Sequence, residues 1–113
     1  MPNSNYNKGR AFEYRVKHYY ERAGFFCART AGSHSPADLI AWREVPTSHG
    51  VDVVLIQCKR GKKKSYAAAK DELRKIPGPN WWRRVLWESE GRKTYMHDLA
   101  GDWREEVDLH GQK

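Results

Sequence analysis

Gln57 and Lys59 stand one residue apart in the run Val51-Asp-Val-Val-Leu-Ile-Gln-Cys-Lys59. On a strand the period of two sends both side chains to one face, with Cys58 on the other. A carboxylate joins them if Asp38-Leu-Ile-Ala-Trp42 pairs antiparallel with that run about a connection centred between Thr47 and Ser48. Trp42 then lies opposite Val53, Ile40 opposite Leu55, and Asp38 opposite Gln57. The Asp38 carboxylate and the Gln57 amide oxygen are hard donors of the kind Mg²⁺ prefers, and Lys59 would orient an attacking water or offset charge on a scissile phosphate. An exposed Gln-x-Lys is also an ordinary way to end an edge strand, with Asp38 capping a turn, so the triplet alone leaves both readings open.

Three further features bear on the choice. Glu13 lies beside the apolar stripe of an expected first helix, from which its carboxylate could reach over a sheet edge; an ion pair with Lys17 is the plainer use of it. The segment Arg29-Thr-Ala-Gly-Ser-His-Ser35 leads into the Asp38 strand, and Gly32 with the hydroxyls of Ser33 and Ser35 would let a phosphate approach, although a simple connecting loop reads the same way. Arg60-Gly-Lys62-Lys63-Lys64 follows Lys59 at once and sets positive charge beside the candidate site, where a solvated charge run is the usual alternative.

The elements that must position these groups are partly legible. Phe12, Val16, Tyr19, Tyr20 and Ala23 form a helical stripe, which predicts a helix over 8–23 stopped by Gly24. Residues 1–7 read as a flexible arm. Phe25 to Arg29 reads as a short strand, and Ser65 as the N-cap of a helix through Ile76 that Pro77-Gly-Pro79 ends. Trp82 to Glu88 and Arg92 to His97 resemble a hairpin across Ser89-Glu90-Gly91, and a short helix is expected at 102–107 within a C-terminal stretch, 99–113, that carries little pattern. The order α-β-β-β-α-β-β describes an α/β fold, a mixed sheet flanked by helices, in a single domain over 1–113.

Composition narrows the function. The chain has 113 residues, with 21 Lys and Arg against 14 Asp and Glu, a formal charge of +7. That length supports one small core. The charge favours a polyanionic partner, first of all nucleic acid. Cys27 and Cys58 form no close pair and the five histidines are scattered, so neither a disulfide framework nor a structural zinc site is expected. The chain has no apolar run long enough to span a membrane and no signal-like N-terminus. A cytoplasmic protein is expected, and a nucleoid-associated or phage protein in a host cytoplasm fits equally.

Taken together these residues resemble the PD-(D/E)XK nucleases, most of all the archaeal-type Holliday junction resolvases. The likeness runs from residue 8 to about residue 64. It comprises Lys8-Gly9 and Glu13 on the first helix, Arg29 leading into Ala31-Gly32-Ser33, then Pro36-Ala37-Asp38 and Gln57-Cys58-Lys59. Ala37 is extra where the family has adjacent Pro and Asp. Gln57 stands where it has Glu, a variant also found in active restriction-type members, including enzymes directed at modified DNA. The resemblance implies a restriction-endonuclease-like sheet and a metal held by Asp38, Gln57 and Glu13, with Mg²⁺ the expected ion and Mn²⁺ a substitute. It also implies that Lys59 assists attack and that Ser33, with Ser35, positions the phosphate. Lys8, Arg10, Arg29, Arg60, Lys62, Lys63 and Lys64 would contact DNA.

By the same resemblance the expected reaction is hydrolysis of DNA phosphodiesters in two symmetric strands of a four-way junction. Two cuts related by a two-fold axis call for a homodimer. Trp81, Trp82 and Trp87 could supply an interface or a core strand, and Arg74, Lys75, Arg83, Arg84, Arg92 and Lys93 could track phosphates. The rival readings are a related nuclease acting on modified, flapped or duplex DNA, a catalytically silent DNA-binding module, and a ribonucleoprotein component whose aromatics stack on bases.

Overall fold

The computed structural model describes residues 4–30, 35–45, 50–61, 66–101 and 103–109, with side chains from residue 8 onward. A six-stranded sheet runs in chain order, β1 (Phe26–Arg29), β2 (Leu39–Glu44), β3 (Val51–Arg60), β4 (Arg83–Glu90), β5 (Lys93–Asp98) and β6 (Trp103–Glu106). Neighbours pair antiparallel except β3 and β4, which are parallel and joined across helix α2 (Ala67–Arg74). Helix α1 (Ser4–Arg22) precedes the sheet.

Alternation along the strands gives the sheet two buried faces. On one, Phe12, Val16 and Tyr20 of α1 pack on Leu39, Ala41, Val54, Ile56, Val85 and Trp87. On the other, Leu73 of α2 packs with Leu55 and Leu86. Trp87 belongs to the first core: it is fully buried, and its Nε1–H donates to the Tyr20 hydroxyl at 3.1 Å. Trp81 is exposed.

Helix α1 ends as its sequence suggests. Gly24 adopts φ +93°, its N–H donates to the Glu21 carbonyl at 3.0 Å, and the Phe25 N–H donates to the Tyr20 carbonyl at 3.0 Å. The Tyr20 and Phe25 rings meet edge to face at 5.5 Å, which completes a Schellman stop with its apolar contact. The helix starts at Ser4 rather than residue 8, so 4–7 are not an arm. Those residues carry no apolar stripe to reveal them, and extending an existing helix costs little.

Helix α2 spans 67–74 rather than 66–76. Its N-cap position is Tyr66, with no side-chain cap, whereas Ser65 lies outside the described residues. Its C-terminus is held from another strand. Arg84 donates from Nε to the Leu73 carbonyl at 3.1 Å and from its terminal nitrogens to the carbonyls of Ile76 at 2.6 Å and Trp82 at 3.1 Å. Arg84, one of the residues that could track phosphates, thus has a structural role, its guanidinium committed to three carbonyls. Arg84→Met is expected to destabilise the fold by about 2–3 kcal/mol, because it removes charge-assisted bonds at the negative end of a helix; urea denaturation measures this.

The last strands differ from the sequence reading. Glu90 pairs with Lys93, so the hairpin turns at Gly91-Arg92, with Gly91 at φ +62°, and not across 89–91. Residues 103–106 form β6 instead of a helix. All four are exposed, so the strand has no alternation to read; it is fixed by pairing with β5 and by Arg104, whose guanidinium lies 4.0 Å from the Tyr95 ring centroid.

Arg104 also approaches Glu88, at 3.6 Å, and His97 Nε2 lies 2.9 Å from the same carboxylate oxygen. Burial lowers the His97 pKa below its ordinary value, and the Glu88 hydrogen bond opposes this only in part. The unfolded chain thus takes the proton more readily than the folded one. Stability from this group is full above the ordinary histidine pKa and is lost as pH falls toward the lowered folded value. The urea midpoint is expected to drop between about pH 7.5 and 5.5, and His97→Gln should remove part of that drop.

Candidate active site

The register of β2 and β3 brings the site together. Trp42 pairs with Val53 and Ile40 with Leu55, as the sequence reading required. The ladder stops at Leu39, so Asp38 and Gln57 meet through side chains rather than as a further backbone pair. Asp38 is tied down by its own backbone: its N–H donates to the Ile56 carbonyl at 2.7 Å, and its carbonyl accepts from the Thr30 N–H at 2.9 Å. Its Oδ2 accepts the Cys58 N–H at 2.9 Å, so the carboxylate serves a backbone donor near the end of β3.

Gln57 is buried on β3, with 8% exposure. In the amide orientation that satisfies its hydrogen bonds, Nε2 donates to Asp38 Oδ2 at 3.1 Å and to the Pro36 carbonyl at 2.9 Å. The nitrogen, not the oxygen, faces the carboxylate. Donor chemistry sets this orientation, since two acceptors attract the NH₂ group, and ligation of a metal beside Asp38 by the amide oxygen would require the amide to turn. Lys59 lies half-buried two residues on, on the same face of β3.

Glu13 comes from α1. Its Oε1 accepts from Arg29 Nε at 3.0 Å, whereas Lys17 pairs with Glu21, so the Glu13–Lys17 pair is not formed. Arg29 ends β1 and thus ties the helix to the strand that leads into the Asp38 segment. Burial pushes the Asp38 carboxyl above its ordinary pKa; the Cys58 N–H opposes this, the Glu13 carboxylate adds to it, and Lys59 and Arg29 lower it. Helix α1, β1 and the end of β3 therefore place Glu13, Arg29 and Lys59 within electrostatic reach of Asp38.

This donor set fits a hard divalent cation. Asp38 and Glu13 offer carboxylate oxygens, and the raised Asp38 pKa records a half-buried charge that a cation would relieve. The Cys58 thiol, the soft donor nearby, is kept protonated by burial. Among the described residues no group of three His, Cys, Asp or Glu forms a metal cage, so Gln57 and non-protein oxygens would have to complete the shell.

The remaining candidates divide. Lys8 and Arg60 are exposed and Arg10 is half-buried. Ser33, Lys62, Lys63 and Lys64 lie outside the described residues. The Ser35 hydroxyl is engaged within its own turn, donating to the Ala37 carbonyl at 2.8 Å and accepting from the Ala37 N–H at 3.3 Å, so it shapes the segment before Asp38. Arg74 pairs with Asp71 at 3.4 Å.

Two positioning residues escaped the sequence reading. The Thr30 hydroxyl donates to the Ala37 carbonyl at 2.7 Å and so ties the end of β1 to the residue before Asp38; a threonine directly after the strand-ending Arg29 was the available signal. The Tyr66 hydroxyl donates to the Gly61 carbonyl at 2.9 Å while the Gly61 N–H donates to the Ser89 carbonyl at 2.9 Å, which holds Gly61 between Tyr66 and β4. No short-range pattern pointed to it. A cleft of about 660 Å³ between Ser35–Ala37 and the C-terminal end of α2 is lined mainly by Ile40, Leu55, Ile76 and prolines, and includes none of Glu13, Asp38, Gln57 and Lys59.

Comparison with known proteins bears on the family and the fold. The crossover junction endodeoxyribonuclease Hjc of Methanocaldococcus jannaschii is 34% identical over 71 residues, which cover 63% of this chain and 48% of that protein. The chain thus spans about half the length of this curated relative. The solved structure of Archaeoglobus fulgidus Hjc, a Holliday junction resolvase from an archaeal hyperthermophile, superposes with a TM-score of 0.59 at 19% identity, covering 88% of each chain. It shares the fold, a restriction-endonuclease-like mixed sheet with flanking helices. A family model described as restriction endonuclease matches residues 5–78, the segment from α1 to just beyond α2 that contains every side chain of the candidate site. The chain belongs to that restriction endonuclease family.

Proposed function

We infer that this protein is a metal-dependent endodeoxyribonuclease that resolves four-way DNA junctions. The observation that carries the reading is the contact of Gln57 with Asp38 at one sheet end, within electrostatic reach of Glu13 and Lys59. Nucleases of this family depend on a metal ion, and Mg²⁺, with Mn²⁺ as a substitute, suits the oxygen donors. Asp38 and Glu13 would hold it, with the Gln57 oxygen after rotation of the amide. The ion would polarise the scissile phosphate and acidify water.

The chain's own groups supply the rest. Lys59 places an ammonium where charge builds on the phosphate during in-line attack. Arg29, two residues before Ala31 in the chain, is suited to hold a backbone phosphate, with Lys8, Arg10, Arg60 and Lys62 to Lys64 adding attraction that does not depend on sequence. Ser33 remains the hydroxyl assigned to the phosphate. A homodimer would present two such sites to strands of like polarity. The relative whose name specifies crossover junctions shares the matched segment, which favours a branched substrate over linear duplex.

The test incubates purified protein with a fixed four-way junction, a flap and a linear duplex, each with Mg²⁺ or EDTA, and resolves the products on a denaturing gel. Paired symmetric nicks in the junction alone, abolished by EDTA, are expected. Equal cutting of all three substrates would remove the junction assignment. Binding without cutting under any divalent ion would instead establish the silent DNA-binding module, the reading that the Gln57 amide favours.

A further inference from the structure

In the orientation that satisfies its hydrogen bonds, the Gln57 amide nitrogen sits between two oxygens, 3.1 Å from Asp38 Oδ2 and 2.9 Å from the Pro36 carbonyl. A carboxylate has nearly the same shape as a carboxamide, so glutamate here would turn oxygen toward oxygen, an arrangement that needs a cation between them. The NH₂ group does that work without a cation by donating to both. Glu13 is engaged too, by Arg29 at 3.0 Å. Asp38 and Glu13 carry two negative charges, Lys59 and Arg29 two positive, and the four sum to zero. A dication meets little net attraction in such a site.

We propose that Gln57 is a latch that makes cation binding depend on bound DNA. To admit the ion the amide must turn its oxygen inward or leave Asp38. A DNA phosphate supplies the negative charge the site lacks, and by competing for Arg29 it releases Glu13. Cation and DNA then tighten each other's binding by the same factor. This rests on the reading of Asp38 and its neighbours as a metal site.

The experiment reads binding, not cleavage. Mn²⁺ is titrated by calorimetry into DNA-free wild type, Gln57→Glu and Arg29→Gln, the last serving if the first folds poorly. Each variant is expected to bind Mn²⁺ about tenfold to a hundredfold more tightly than wild type. At fixed ionic strength, Ca²⁺ in place of EDTA should tighten junction binding by wild type about tenfold and leave Asp38→Asn unchanged. Equal Mn²⁺ affinity in wild type and both variants would overturn the latch. If the double variant Gln57→Glu, Asp38→Asn bound Mn²⁺ as tightly as Gln57→Glu alone, the metal site itself would be misassigned.

Discussion

Asp38→Asn is expected to lose cleavage of a four-way junction by about three orders of magnitude or more while keeping most of its DNA affinity. The loss follows from removing the one carboxylate that the backbone aims at Gln57 and that senses both Glu13 and Lys59. Binding survives because basic side chains elsewhere supply most of the attraction to phosphate. The fold should survive as well, since an asparagine oxygen can still accept the Cys58 N–H that Asp38 Oδ2 takes at 2.9 Å. A carboxyl whose folded pKa lies above its unfolded value costs stability when ionised, and that cost fades only as pH falls through the folded value. Burial places Asp38 in this class, so the variant should melt no lower than wild type at neutral pH. Single-turnover cleavage and a thermal melt on the same preparation check both halves.

Lys59→Ala should lower the cleavage rate by about a hundredfold to ten-thousandfold under saturating enzyme, where weaker binding no longer contributes. Lys59 is half-buried on the Gln57 face of β3. Its charge helps keep Asp38 ionised, so the variant loses the ammonium at the phosphate and part of the support for the carboxylate together. Lys59→Arg should rescue poorly, because a planar guanidinium does not reproduce a compact ammonium in a confined place. Cutting at the wild-type rate by the alanine variant would remove Lys59 from the mechanism.

The central part of the fold was legible because its signals are local. The β-branched run of β3, the apolar stripe of Phe12, Val16 and Tyr20, and Gly24 at a helix stop each express a period or a backbone preference that one segment carries by itself. The register of β2 on β3 followed from the midpoint of their connection. β6 was missed because Trp103–Glu106 is exposed throughout and is a strand only by virtue of its neighbour. The grip of Arg84 on the end of α2 and the His97–Glu88–Arg104 cluster join segments far apart in the chain, so no spacing announces them.

The site divides the same way. Residue types and the strand period brought Asp38, Gln57 and Lys59 together. The Lys17 pair, the plainer of the two uses open to Glu13, is not formed, because Lys17 pairs with Glu21 while Arg29, which no local spacing announces, is delivered by β1. The orientation of the Gln57 amide could not be read from sequence either, since it depends on the Pro36 carbonyl, which reaches it only through the tertiary path of the chain.

Whether these groups form a cation site on DNA is tested most directly by anomalous diffraction from crystals of Lys59→Ala bound to an uncut four-way junction in Mn²⁺. The account predicts a manganese peak in contact with the Asp38 carboxylate and a phosphate of the junction. Ordered DNA with no peak at Asp38, or with manganese held elsewhere on the protein, would contradict it.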